Sequence, residues 1–143
     1  MRTIVKLASV SCVLCATASC DQLSGFLQTN TVRVILVNNG AFDVKVTLYT
    51  GDNQNMPESL LTTVGTKRDF TIGPGQSAEF SDDCSDLQAI IVDKAELQTV
   101  GTPDDKSNVL RDGSDFGCGD TITFTFEHSL ILFDFRVTTN VRS

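Results

Sequence analysis

The sequence predicts an all-β domain: an antiparallel sandwich of about eight short strands held by one disulfide. Three observations predict it. In Cys118-Gly-Asp-Thr-Ile-Thr-Phe-Thr-Phe126, Ile122, Phe124 and Phe126 alternate with Thr121, Thr123 and Thr125, which is the period of a strand with one buried face. Short β-branched runs recur along the chain between Asn, Gly, Pro and Asp turn signals. Two cysteines, Cys84 and Cys118, stand beside turns in the second half and can pair as a staple at the root of that strand.

The chain has 143 residues, enough for one domain with a sizeable core. Residues 1–19 read as an export signal rather than as part of that domain. Arg2 and Lys6 form a basic start, Leu7 to Leu14 an apolar run too short to span a bilayer, and Ala16, Ala18 and Ser19 the small residues of a cleavage site. Ala16-Thr17-Ala18 fits ordinary signal peptidase, which would release a soluble secreted protein at Ser19. Thr17-Ala18-Ser19-Cys20 resembles the lipobox of bacterial lipoproteins, with Thr17 where leucine is usual. That resemblance implies acylation of Cys20, a mature chain that begins there, and a membrane partner reached through the lipid.

Cysteine arithmetic bears on the choice. Cys12 and Cys15 leave with the leader and Cys84 can pair with Cys118, so Cys20 is the odd one. Lipidation accounts for it, whereas secretion leaves a free thiol in an oxidising compartment. The sequence holds 11 basic and 18 acidic residues, and without Arg2 and Lys6 the mature part has 9 against 18, a net charge of −9. Such a surface excludes nucleic acid as a partner, because phosphate contacts need clustered Lys or Arg.

Asp21 to Asn30 reads as a polar tether, so the domain proper is 31–143. Thr31 to Val37 and Val44 to Tyr49 are β-branched and joined through Asn38-Asn39-Gly40, and they are expected to form a β-hairpin with a loop longer than two residues. Val32 to Val37 is apolar on both faces except Arg33, which places it inside a sheet; Lys45, Thr47 and Tyr49 give the next strand a wet face. Gly51 to Pro57 is a turn region, and Ser59 to Val64 a weak strand candidate. Asp69 to Ile72, the Gly73-Pro74-Gly75 turn and Ser77 to Phe80 follow. From Val32 to Phe80 this succession resembles the immunoglobulin-like modules of bacterial surface proteins, which implies an immunoglobulin-like sandwich.

Leu87 to Leu97 suits a helix at Ala95-Glu96-Leu97, but Ile90-Ile91-Val92 argues for a strand, and a strand is expected. Gly101 to Asn108 is a loop, Val109 to Arg111 a short strand, and Asp112 to Asp115 a turn. The central strand is followed by His128-Ser129 as a two-residue turn and then a partner strand over Leu130 to Val137, with Ile131, Phe133, Phe135 and Val137 on one face.

The chemistry the sequence offers is sparse. A Cys84 to Cys118 bond closes a ring of about 35 residues, worth roughly 3.5 to 4 kcal/mol in the chain-entropy account. His128 is the sole histidine and is expected to be exposed; no serine stands in a nucleophile elbow and no H-E-x-x-H occurs, so a catalytic triad, a zinc site and a blue-copper site all lack their residues. Asp82, Asp83 and Asp86 flank one cysteine while Asp112, Asp115 and Asp120 flank the other, and the disulfide would gather both sets at one end as a candidate Ca²⁺ site. Asp before Gly or Ser is equally ordinary turn chemistry. These residues lead to a non-enzymatic, lipid-anchored binding or structural module at a bacterial cell envelope, without cofactor, with a protein or glycan partner. Two alternatives stand beside it: a glycosidase-like hydrolase using paired carboxylates, marked by a deep groove between them, and a secreted Ca²⁺-binding β domain.

Overall fold

The computed structural model describes residues 30–129 and 134–143. They form nine strands and one short helix: β1 Thr31–Asn38, β2 Val44–Gly51, α1 Glu58–Val64, β3 Thr66–Ile72, β4 Ser77–Asp83, β5 Ala89–Leu97, β6 Asp104–Asp105, β7 Leu110–Arg111, β8 Thr121–Ser129 and β9 Asp134–Arg142. One sheet has the order β4-β1-β8-β9 and the other β3-β2-β5-β6, with β7 also paired to β5.

The alternation that predicted the central strand is realised in β8, where Ile122, Phe124 and Phe126 are fully buried. With Val32, Val34 and Leu36 of β1 they face Val44, Val46 and Leu48 of β2 and Ile90, Val92 and Leu97 of β5. Burying each such side chain contributes about 1.5 to 3 kcal/mol, so this layer contact dominates the stability of the domain. Phe135 of β9 is buried and Val137 packs against the same core, as their shared face predicts. Ile131 and Phe133 lie outside the described residues.

Four expectations are corrected. The first concerns β1 and β2, which lie in different sheets and form no hairpin. Asn38 is the reason: it is buried, its Oδ1 accepts from the Gly40 amide at 2.9 Å, and its Nδ2 donates to the carbonyls of Phe42 at 2.8 Å, Ile72 at 2.9 Å and Gly73 at 3.1 Å. One amide therefore ties the β1–β2 crossing to the β3–β4 crossing, so the Asn-Gly signal builds a corner between layers instead of a turn within one.

Secondly, the architecture is not purely antiparallel, since β1 runs parallel to β8 with Val34 opposite Ile122 and Leu36 opposite Phe124. A parallel pair needs a long crossover, and here the crossover contains the whole second sheet together with α1 and β4. The third correction is Ser59 to Val64, expected as a strand and found inside α1. Pro57 sets φ at −59° just before it, Leu61 buries against Ala89 and Ile91, and the Thr62 and Thr63 hydroxyls return to the Glu58 and Ser59 carbonyls. In so short a helix this packing, not β-branched propensity, decides the conformation. Fourthly, His128 is no turn residue: it pairs with Phe135 within β8–β9, is half-buried, and meets the Phe42 ring edge-on at 5.8 Å.

The two sides of the sandwich are closed differently. On one, Phe70 of β3 stacks on Phe80 of β4 at 5.9 Å and Arg68 pairs with Asp82. On the other, the Asp105 carboxylate of β6 accepts the Val137 amide of β9 at 2.8 Å.

Candidate functional site

The Cys84–Cys118 disulfide is formed, with its Cα atoms 5.4 Å apart. Cys84 follows β4 and Cys118 precedes β8, the two neighbours of β1, so the bond straddles the point where β1 begins. The Cys84 amide donates to the Asn30 carbonyl at 3.0 Å, and Cys118 Sγ lies 3.4 Å from Asn30 Oδ1. Cys20 lies outside the described residues.

The six candidate calcium ligands are not brought together. Asp115 Oδ2 accepts from the Arg111 amide at 2.8 Å and Asp120 Oδ2 from the Gly117 amide at 2.7 Å, each inside its own turn. Asp112 forms an isolated bridge with Phe116, and the Asp83 carbonyl closes the following turn by accepting from Asp86 and Leu87. Among the described residues no group of three His, Cys, Asp or Glu side chains converges on a point where a cation could sit. Two of the six carboxylates, Asp115 and Asp120, are thus consumed by local backbone donors, which is the ordinary fate of Asp in a tight turn.

Asp82 and Asp86 have a different neighbourhood. They line a groove of about 340 Å³ with Thr50, Gly51, Asp52, Met56, Val64, Gly65, Thr66 and Arg68. Its floor depends on close backbone approach: a Cβ on Gly65 would stand 2.4 Å from the Leu61 carbonyl oxygen and 2.8 Å from that of Thr50, so only glycine lets the end of α1 settle against β2. Arg68 and Asp82 reach across from the facing edges of the two sheets. Arg68 Nη2 donates to both Asp82 oxygens, at 2.6 and 2.8 Å, while its guanidinium lies over the Phe80 ring at 4.3 Å. Its Nε is shielded from solvent without a hydrogen-bond partner. A fixed guanidinium, three carboxylates and an apolar wall of Met56 and Val64 can hold a small polar ligand.

From sequence alone Asp82 and Asp86 were visible as candidates; Arg68, Asp52, Met56 and Val64 were not. The signal that would have found them is Pro57 before Leu60-Leu61 and Val64, which marks a helix and hence a wall opposite β3 and β4.

The fold and groove define a two-sheet, disulfide-braced β domain with a polar cleft beside the brace. The sequence matches no protein-family model and no curated protein. Among solved structures the chain is similar to the "membrane-binding domain of pneumolysin", with a TM-score of 0.45 and 8% identity over 78% of this chain and 97% of that one. It is similar also to a chain described as "Trapped Toxin", with a TM-score of 0.42 and 11% identity over 78% of this chain and 23% of that one. At such scores neither likeness extends to function.

Proposed function

We propose that this chain is exported, anchored through an acylated Cys20, and acts as a non-enzymatic binding or structural module of immunoglobulin-like type at a bacterial cell envelope. The observation that carries the reading is the Cys84–Cys118 bond. With those two joined, Cys20 is the cysteine left over outside the leader, and it follows the small residues Ala18 and Ser19. A disulfide in a domain of this size also fits an oxidising compartment. Mass spectrometry of the membrane fraction tests the anchor: the expected N-terminus is a lipid-modified Cys20, and Cys20→Ala should move the protein to the soluble fraction. An unmodified N-terminus at Ser19 would replace the anchored reading with the secreted one.

One observation favours a second reading. The groove holds Asp52, Asp82 and Asp86, and a carboxylate-flanked groove is what a glycoside hydrolase would require. Asp82 is bound on both oxygens by Arg68, which leaves Asp52 and Asp86 as the pair for that chemistry. Release of reducing sugar from an oligosaccharide by the wild type, lost in Asp86→Asn, would establish it over the module.

A further inference from the structure

We propose that the groove between α1 and the β3–β4 edge binds a neutral polyhydroxyl ligand, that is, a carbohydrate unit. The inference rests on reading the domain as a binding module and names the chemistry of what it binds.

The charges decide the class. Arg68 is matched by Asp82 through two hydrogen bonds, so the groove's uncompensated groups are Asp52 and Asp86, which pair with no cation among the described residues. An anion would meet net negative charge and is disfavoured. An ammonium group would satisfy the two carboxylates but has no lone pair to offer Arg68. Arg68 needs one: Nη2 is taken by Asp82, and among the described residues Nη1 makes no hydrogen bond. The ligand must donate to carboxylates and accept from a guanidinium within one small space, and adjacent hydroxyls do both.

Shape agrees with charge. The guanidinium plane is held on Phe80 and by Asp82, so its remaining N–H directions are fixed before a ligand arrives. Thr66 lies on the same lining. Met56 and Val64, the latter 62% exposed despite its apolar side chain, give the C–H face of a sugar ring something to cover. The volume of about 340 Å³ is at the lower end of ligand pockets, which suits one or two sugar units and not a long helix or strand of a partner protein.

The test is isothermal titration of the full mature chain with four probes: a β-linked glucose tetramer, a β-linked N-acetylglucosamine tetramer, 1,5-diaminopentane and inorganic phosphate. Saturable binding of at least one tetramer is expected, at least tenfold tighter than either small ion. Arg68→Lys should weaken it by tenfold or more, because an ammonium replaces the fork. As Arg68 also joins the two sheets, Asp86→Ala and Val64→Asp on exposed positions provide variants that leave the core intact, and each should weaken binding about three- to tenfold. Lys45→Ala, an exposed position at the opposite end of β2 from Thr50 and Gly51, should bind as the wild type does. No saturation by either tetramer, equal or tighter binding of the diamine, or unchanged affinity in both Asp86→Ala and Val64→Asp would each overturn the proposal. Hydrolysis of a tetramer would support the sugar site and overturn the non-enzymatic reading of the domain in favour of the enzyme. The N-terminal mass at Cys20 is indifferent to all of these, so loss of the anchored reading and loss of the sugar site are separate results.

Discussion

The two ends of the sandwich are held shut by opposite means. Where β1 begins, a covalent bond joins its neighbours and aspartates crowd the turns; where β1 ends, roughly 25 Å away, one buried amide binds the crossings between sheets. Two loop stretches at the second end, Asn39 to Phe42 and Thr99 to Thr102, carry no ionisable side chain, and Val100 is fully exposed there, while the Gln98 amide bonds the Asp43 carbonyl. The lesson is that the same mechanical task is solved once through the unfolded chain and once through the folded one. A disulfide acts mainly by restricting the denatured ensemble, whereas Asn38 acts only in the native state, where three carbonyls depend on it.

Breaking both ends at once has the largest expected effect. The variant Cys84→Ser, Cys118→Ser, Asn38→Ala should lose about 3 to 8 kcal/mol, a large fraction of a small domain's total. The sites are far apart, so the loss should equal the sum of the separate losses to within about 0.5 kcal/mol in urea melts. A clear excess would show that the ends are coupled through β1.

The disulfide alone comes next: Cys84→Ser with Cys118→Ser should cost about 2 to 5 kcal/mol. Because the unlinked chain expands more on unfolding, the urea m-value should rise as well. Asn38→Ala should cost about 1 to 3 kcal/mol with the m-value unchanged, and amide exchange should accelerate at Gly40 and Gly75, whose amides bond to Asn38. If the m-value moved equally in both variants, the distinction between the ends would fail.

The smallest effect separates surface charge from both. On the open face of the second sheet, the Thr47 hydroxyl and then Lys67 hold Asp69 below the usual carboxylate range, and Asp69 in turn raises Lys67. A depressed carboxyl contributes stability that is present above its unfolded pKa and lost as pH falls through its folded pKa; the raised lysine contributes below its unfolded pKa and loses it as pH rises through the folded one. Both groups are exposed, so solvent screens the pair. NMR titration of Thr47→Val should move Asp69 back toward its ordinary value, with the melting temperature at neutral pH unaltered.

Much of the fold was legible because side-chain period and burial coincide. Ile122, Phe124 and Phe126 declare β8, and Val44, Val46 and Leu48 declare β2. Strand β5 was harder to read for a physical reason. Its register against β2 shifts between Thr47 and Leu48, so Ile90 and Val92 point to the core before the irregularity and Ala95 and Leu97 after it. The shift interrupts the period of two and leaves a helix-like spacing in the sequence. What stayed illegible is pairing at long range: no local signal says that Asn38 serves a corner or that β1 lies parallel to β8. The groove was half legible, since Asp82 and Asp86 stood out as acidic residues while Arg68, which gives them their setting, reads as one more surface arginine.

The position of the disulfide has a consequence for tension. A pull applied at Asn30 along the axis of β1 shears that strand against β4 and β8 together, so the backbone bonds on both flanks bear load in parallel instead of opening one after another. The weak moment in such an arrangement is the spreading of the flanking strands where the load enters. The Cys84–Cys118 bond prevents that spreading by joining one flank to the other across Asn30. Held by its first strand, the domain resists extraction as a wedge does in a clamped joint, and reduction of a single bond would loosen the clamp.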